Sequence, residues 1–139
     1  MYLFDTDVLS RVARAAPPRP LIERLSKIPR DLQFTTSINV AEVHYGACRV
    51  ARRDALIKAY DELVFSRLTV LPFDTDSAKV YGRLKASLEK RGAPRSEPDL
   101  RIAAIALQHR LIVVTGNIRH FADIPGLSVE DWLDRPPNT

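Results

Sequence analysis

Apolar residues in this chain occur in two alternating kinds of segment. Short apolar runs that are typical of buried strands lie at 2–4, 32–35, 68–73, 111–114 and 127–132. Between them, apolar residues at helical spacing predict helices at 7–15, 21–28, 38–50, 54–65, 76–91 and 96–109. Because strands that alternate with helices need crossover connections, we expect an α/β fold with three α/β/α layers and a central, mainly parallel sheet.

The length of the chain bounds its organisation. A chain of 139 residues with 45% hydrophobic content fits one compact domain, which we expect over 1–134, followed by a flexible, Pro-rich tail over 135–139. Cys48 is the only cysteine, which excludes an internal disulfide and a cysteine-based zinc site. No apolar run suits a secretory signal or a membrane span. These features predict a cytoplasmic protein.

Basic residues are concentrated in one part of the sequence. The chain has 21 Lys and Arg against 17 Asp and Glu, a formal net charge of +4, and residues 11–53 hold nine of the basic residues and only three acidic ones. This excess suits a polyanionic partner without establishing one. Arg11 and Arg49 are candidates for contacts with phosphates, although solvated helix faces explain such arginines equally well.

Polar clusters follow two of the predicted strands. Asp5, Thr6 and Asp7 come directly after the strand at 2–4, and Thr115, Gly116 and Asn117 follow the strand at 111–114. Ligands of open parallel sheets bind outside the carboxyl ends of the strands. If these two strands are neighbours, the clusters meet in one cleft, which Glu42 and Asp99 enter from the first turns of two helices.

Two interpretations, a metal site and helix caps, fit the three acids Asp5, Glu42 and Asp99. Carboxylates brought close together repel one another, and a divalent cation relieves that repulsion. A set of oxygen ligands favours Mg²⁺ or Mn²⁺ over zinc. Each acid also fits a helix cap, since Asp5 precedes a helix, and Glu42 and Asp99 lie three residues after Asn39 and Ser96, as in a capping box.

Four sequence strings together carry a family resemblance. FDTDVLS at 4–10, INVAEVHYG at 38–46, EPDLRIAAIAL at 97–107 and VVTGNIRHF at 113–121, which is followed by IPGLSVEDW, resemble successive landmarks of PIN-domain ribonucleases. The similarity is to the VapC-like toxins of toxin–antitoxin pairs and runs from residue 2 to about residue 132. It implies a PIN-like domain, a metal-dependent endoribonuclease that cleaves RNA, a small antitoxin as partner, and a homodimer, which we expect to form through helices between 21 and 65.

The resemblance also implies roles for individual residues. Asp5 and Asp99 match acids that bind Mg²⁺, for which Mn²⁺ substitutes, and Glu42 matches a catalytic acid that orients water or completes the metal shell. Thr6, Thr115 and Asn117 match positions that shape the site, and Asp7 is expected to start the helix.

One feature departs from the family pattern. Many members carry a further acid after the last aliphatic strand, where this chain has Asn117 and His120. The sequence therefore does not establish a second metal position. An RNA-processing nuclease with a housekeeping substrate and a PIN nucleic-acid-binding module with weakened activity are the alternative functions.

Overall fold

The computed structural model describes residues 1–133, so the tail predicted at 135–139 and the domain end predicted at 134 lie outside the described residues. Five strands alternate with six α-helices in this part of the chain. The strands are β1 (Tyr2–Phe4), β2 (Gln33–Thr36), β3 (Thr69–Leu71), β4 (Ile112–Val114) and β5 (Val129–Glu130). The helices are α1 (Thr6–Val12), α2 (Arg19–Ser26), α3 (Ser37–Cys48), α4 (Arg53–Leu63), α5 (Thr75–Lys90) and α6 (Glu97–His109). No helix within residues 1–133 is both long and apolar enough to cross a membrane.

The strands form one sheet with the order β3-β2-β1-β4-β5, in which every neighbouring pair is parallel. β1 lies in the centre, with Leu3 opposite Phe34 of β2 and Val113 of β4. The carboxyl ends of β1, β2 and β4 therefore meet at one edge of the sheet. The predicted parallel sheet is confirmed, and so is the proximity of the two strands that polar clusters follow.

Two hydrophobic cores lie on opposite faces of the sheet. Adjacent strand residues point to opposite faces, so Leu3 and Val113 pack with residues of α5 and α6, whereas Phe4 and Val114 pack with residues of α1, α2, α3 and α4. Helix α6 is buried on most of its sides, as its nearly continuous apolar sequence indicates. The three predicted α/β/α layers are thus confirmed.

Prolines and caps determine where several helices begin and end. Helix α1 ends at Val12, three residues before its predicted end, with Ala13 as its C-cap. Helix α2 begins at Arg19, earlier than predicted, since Pro20 fits the first turn of a helix. Thr36 caps α3 through its side chain, which accepts the amide N–H of Asn39.

Candidate active site

The polar clusters meet in a cleft of about 340 Å³ at the carboxyl ends of β1 and β4. Asp5 follows β1 directly, and its backbone N–H donates to the carbonyl of Val114, at 3.0 Å. Helix α3 begins immediately after β2 and brings Glu42 to the cleft, while the first turn of α6 brings Asp99. The fold therefore assembles all three acids singled out in the sequence, which are separated by up to 94 positions, at the predicted edge of the sheet.

Asp5 forms the floor of the cleft and is only 6% exposed. Its Oδ1 accepts the backbone N–H of Thr6 at 2.9 Å and the side-chain amide of Asn39 at 3.0 Å, and its Oδ2 accepts the hydroxyl of Thr115 at 2.9 Å. An ionised carboxylate has about four lone-pair positions, so these three donors fix its orientation and leave one position for a further ligand. Asp5 is both the N-cap of α1 and a member of the site.

Glu42 is half-buried and is held by one hydrogen bond. The hydroxyl of Thr6 donates to its Oε1 at 3.0 Å, and the same hydroxyl oxygen accepts the side-chain amide of Asn39 at 3.1 Å. Its other carboxylate oxygen has no hydrogen-bond partner among residues 1–133. Because Thr36 caps α3, Glu42 does not act as a capping-box acid and is free to face the cleft.

Asp99 lies on the opposite side of the cleft, in the first turn of α6. Ser96 caps this helix, and its hydroxyl also lies 2.7 Å from Asp99 Oδ2. The imidazole Nδ1 of His120 lies 3.3 Å from the same oxygen. Asp99 Oδ1 has no hydrogen-bond partner in the described part of the chain, and Asp99 is among the residues that line the cleft. Asp99 therefore combines the predicted capping contact with a free oxygen.

The sequence predicts that Asp7 starts a helix, but α1 begins at Thr6 with Asp5 as its N-cap, and Asp7 also contacts the loop after β4. Its carboxylate accepts the backbone N–H of Gly116 at 2.7 Å and contacts the Thr115 hydroxyl and the Asn117 amide, each at 3.4 Å. A Cβ atom at position 116 would lie 2.8 Å from Asp7 Oδ2, so glycine permits this close approach. Asp7 thus ties the loop after β4 to the start of α1.

Asn39 is the member of the site that the sequence interpretation missed as a site residue. It is fully buried, and its side chain makes three hydrogen bonds: its amide group donates to Asp5 and Thr6, and its carbonyl oxygen accepts the Thr36 hydroxyl. Its backbone N–H donates to the same Thr36 hydroxyl oxygen. Its spacing of three residues before Glu42 places both side chains on one helix face. That spacing was the available signal, but the sequence offered Asn39 only as a cap.

Burial and mutual repulsion raise the pKa of two of these acids. The pKa of Asp5 is raised chiefly by burial, with a further contribution from the charges of Asp7 and Asp99, against the lowering effect of its hydrogen bonds. The pKa of Glu42 is raised in the same way, first by burial and then by the neighbouring acids. Both carboxylates are therefore ionised at an energetic cost that a cation in the cleft would relieve.

The donor set suits a hard cation, although the side chains do not yet enclose one. Among residues 1–133, no three His, Cys, Asp or Glu side chains stand close enough together to form a metal-binding group. The cleft nevertheless presents one open position on Asp5 and free oxygens on Glu42 and Asp99. Waters and a substrate phosphate usually complete such a magnesium shell, so few protein ligands are needed.

The two arginines that the sequence offered for RNA contacts do not line this cleft. Neither Arg11, in the last turn of α1, nor Arg49, just after α3, is among the residues that line it. The guanidinium carbon of Arg49 lies 5.4 Å from the ring centre of Tyr45, an exposed aromatic residue one turn beyond Glu42. Any phosphate contact by Arg49 would therefore occur beside the cleft.

Comparison with known proteins identifies the family. The family profile of the PIN domain matches residues 2–127. This chain belongs to the PIN-domain family. Ribonuclease VapC2 of Haemophilus influenzae is 33% identical to it over 134 residues, which cover 95% of this chain and 98% of the relative. The tRNA(fMet)-specific endonuclease VapC of Salmonella typhimurium is 37% identical over 97 residues, 70% of this chain and 73% of that one.

A solved structure of the same kind extends the similarity to the fold. The crystal structure of VapBC2 from Rickettsia felis, bound to a DNA fragment from the promoter, contains a chain that matches with a TM-score of 0.86 at 27% identity. The match covers 94% of this PIN-domain chain and 98% of that chain. These relatives confirm the resemblance to VapC ribonucleases that the four sequence strings carried. Ribonucleases of this family depend on a divalent metal ion.

Proposed function

We propose that this protein is the endoribonuclease toxin of a toxin–antitoxin pair and that it hydrolyses RNA phosphodiester bonds at the cleft formed by Asp5, Glu42 and Asp99. The observation that carries the proposal is the convergence of these three acids around free carboxylate oxygens in a chain related throughout to VapC ribonucleases. Asp5 and Asp99 would hold the divalent cation, for which Mg²⁺ and Mn²⁺ suit the oxygen donors best.

We infer a distinct part for each residue from its contacts. When bound, the cation polarises a phosphate and makes a water molecule more acidic. Asn39 and Thr115 hold Asp5 in one orientation, while Thr6 positions Glu42. The free oxygen of Glu42 can accept a hydrogen bond from the attacking water and so orient it.

The substrate is RNA, and tRNA is the class to test first. The Salmonella typhimurium relative is a tRNA(fMet)-specific endonuclease.

The formal net charge of +4 favours a polyanion, and the excess of basic residues over 11–53 supplies candidate phosphate contacts, including Arg11 and Arg49. Such contacts weaken as salt rises, so cleavage under subsaturating RNA should slow with added KCl. A cytoplasmic location, consistent with the lone Cys48, fits an RNA substrate.

A cleavage assay with purified protein tests this function. Labelled tRNA is incubated with the wild-type chain and with Asp5→Asn and Asp99→Asn, in EDTA and in Mg²⁺ or Mn²⁺. We expect metal-dependent cleavage by the wild type and a loss of about a hundredfold or more in each variant. Asp61→Asn, an exposed position on α4, is the matched control and should cleave normally. Full activity of a folded Asp5→Asn protein would contradict the assignment.

The partner proposed for this toxin is a small antitoxin, because related chains were crystallised as VapBC complexes. An apolar groove of about 270 Å³ between α1, α2 and α4 is a suitable docking surface, since Ile22 and Leu63 on its rim are 37% and 44% exposed. Leu63→Asp should weaken binding of the co-expressed antitoxin and leave RNA cleavage unchanged.

The expected homodimer through helices between 21 and 65 stays a prediction for sedimentation analysis.

Growth assays distinguish the toxin from the alternatives. Expression of the chain alone should arrest growth, and expression of the neighbouring antitoxin should relieve the arrest. An RNA-processing nuclease would cleave RNA without growth arrest, and a weakened nucleic-acid-binding module would bind RNA without metal-dependent cleavage.

A further inference from the structure

His120 lies at the rim of the cleft in a position from which it can contact a bound cation. It ends the short 3₁₀ turn Ile118–His120 after β4, and its Nδ1 lies 3.3 Å from Oδ2 of Asp99. The His120 side chain is 54% exposed, whereas Asp99 is 16% exposed. The imidazole can therefore turn about its own side-chain bonds without disturbing the core. It is the only nitrogen base among the side chains that line the cleft in the described part of the chain.

We propose that His120 supplies an imidazole nitrogen to the cation held by Asp5 and Asp99, so that this site prefers first-row transition ions such as Mn²⁺ and Co²⁺ to Mg²⁺. This inference rests on the proposed metal-dependent function. It adds a ligand and a metal preference that the oxygen donors alone would not give.

The separation of the two side chains fits shared coordination. Atoms bound to one ion at about 2.1 Å, at adjacent octahedral positions, lie about 3 Å apart. The Nδ1 to Oδ2 distance of 3.3 Å places the ring at this spacing from the Asp99 carboxylate, whose free Oδ1 is the oxygen offered to the cation. Ser96 also contacts Asp99 Oδ2, at 2.7 Å, so the carboxylate is held in place while the ring adjusts.

The chemistry of the ligand explains the change in preference. Carboxylates and water suit Mg²⁺, whereas imidazole binds transition ions better, and affinity for a mixed oxygen and nitrogen site rises from Mn²⁺ to Co²⁺. A magnesium ion keeps its water in place of imidazole, so it gains little from His120. Removal of the ring should therefore weaken Mn²⁺ binding much more than Mg²⁺ binding.

Two measurements on the full chain, without RNA, test the proposal. Calorimetric titration of metal-free protein gives Mn²⁺ and Mg²⁺ affinities, and pulsed electron paramagnetic resonance of bound Mn²⁺ detects coupling to a directly bound nitrogen. The variants are His120→Ala and His120→Asp. The matched control is His44→Ala, since His44 is exposed on α3 and does not line the cleft.

We expect nitrogen coupling in the wild type and in His44→Ala, and its loss in both His120 variants. His120→Ala should weaken Mn²⁺ binding by about tenfold or more and Mg²⁺ binding by less than about threefold. His120→Asp should shift the ratio of the two affinities towards Mg²⁺.

Different failures point to different errors. Bound Mn²⁺ without nitrogen coupling in the wild type, or with coupling that persists in His120→Ala, would show that His120 only pairs with Asp99, and the proposed nuclease function would stand. Mn²⁺ that fails to bind, or that binds equally well to Asp5→Asn, would overturn both the ligand role and the metal site.

Discussion

Replacement of Asn39 by aspartate is the most direct test of how the site is held together. The Asn39 side-chain amide lies 3.0 Å from Asp5 Oδ1, and both residues are buried. Asparagine and aspartate have nearly the same shape, so Asn39→Asp exchanges a donor for a carboxylate oxygen and creates no cavity. The variant thus places two buried carboxylates in contact.

The distance sets the size of the effect. At an effective dielectric constant of about 20, two charges about 3 Å apart repel by about 5 kcal/mol. Protonation of one carboxyl group relieves this repulsion and, at pH 7, costs about 4 kcal/mol, because an aspartate in the unfolded chain has a pKa of about 3.9. Whichever costs less, the repulsion or the protonation, determines how much free energy of unfolding the variant loses. We therefore expect Asn39→Asp to lower the free energy of unfolding by about 3–4 kcal/mol at pH 7.

Urea unfolding followed by circular dichroism, in EDTA, measures this loss. Protonation of a carboxyl group costs about 1.4 kcal/mol less for each unit by which the pH is lowered. The loss in free energy of unfolding should therefore shrink to about 1 kcal/mol at pH 5. Asn117→Asp is the matched control, because Asn117 is exposed and lies 3.4 Å from Asp7, and it should change stability by less than about 1 kcal/mol. A deficit of equal size at both pH values, or none at pH 7, would refute the electrostatic reasoning.

Three further predictions concern Glu42, Gly116 and Arg95. Burial raises the pKa of Glu42, so its contribution to stability is present below its ordinary pKa and is lost as pH rises from that value through the raised one. As pH rises from 4 to 8, the melting temperature of metal-free Glu42→Gln should therefore lose less than that of the wild type. Gly116→Ala should cost about 1–3 kcal/mol in urea unfolding, because its Cβ would displace Asp7 Oδ2 from a 2.7 Å hydrogen bond. Arg95→Ala should cost about 1–3 kcal/mol and speed amide hydrogen exchange near residue 122, since the guanidinium donates to the Ala122 carbonyl at 2.7 Å.

The fold was predictable because its signals are local. Each predicted strand and helix overlaps an element of the structure, and the alternation of strands and helices was enough to predict parallel pairing. The ends were less accurate for physical reasons. β3 spans Thr69–Leu71 and not 68–73, and it stops before Pro72, which has no N–H to continue a ladder.

The site was predictable only in part, because its contacts join distant parts of the chain. Asp5, Glu42 and Asp99 could be found from strings of neighbouring residues. The contact of Asp7 with Gly116 spans 109 positions, and that of Asn39 with Asp5 spans 34. Both depend on which strands become neighbours, and no local pattern encodes that choice.

The contacts divide the site into a rigid base and an adaptable rim, and this division explains where its chemistry can change. At the base, Asp5 and Asn39 are buried and share their hydrogen bonds, so a substitution there also removes folding free energy. At the rim, His120 is half-exposed and makes one polar contact with Asp99, so a substitution there changes the donors offered to a cation at little cost to the fold. On the ligand role proposed for His120, a change of ligand at the rim is therefore the least costly way for this fold to change its metal preference while its base holds Asp5 in place.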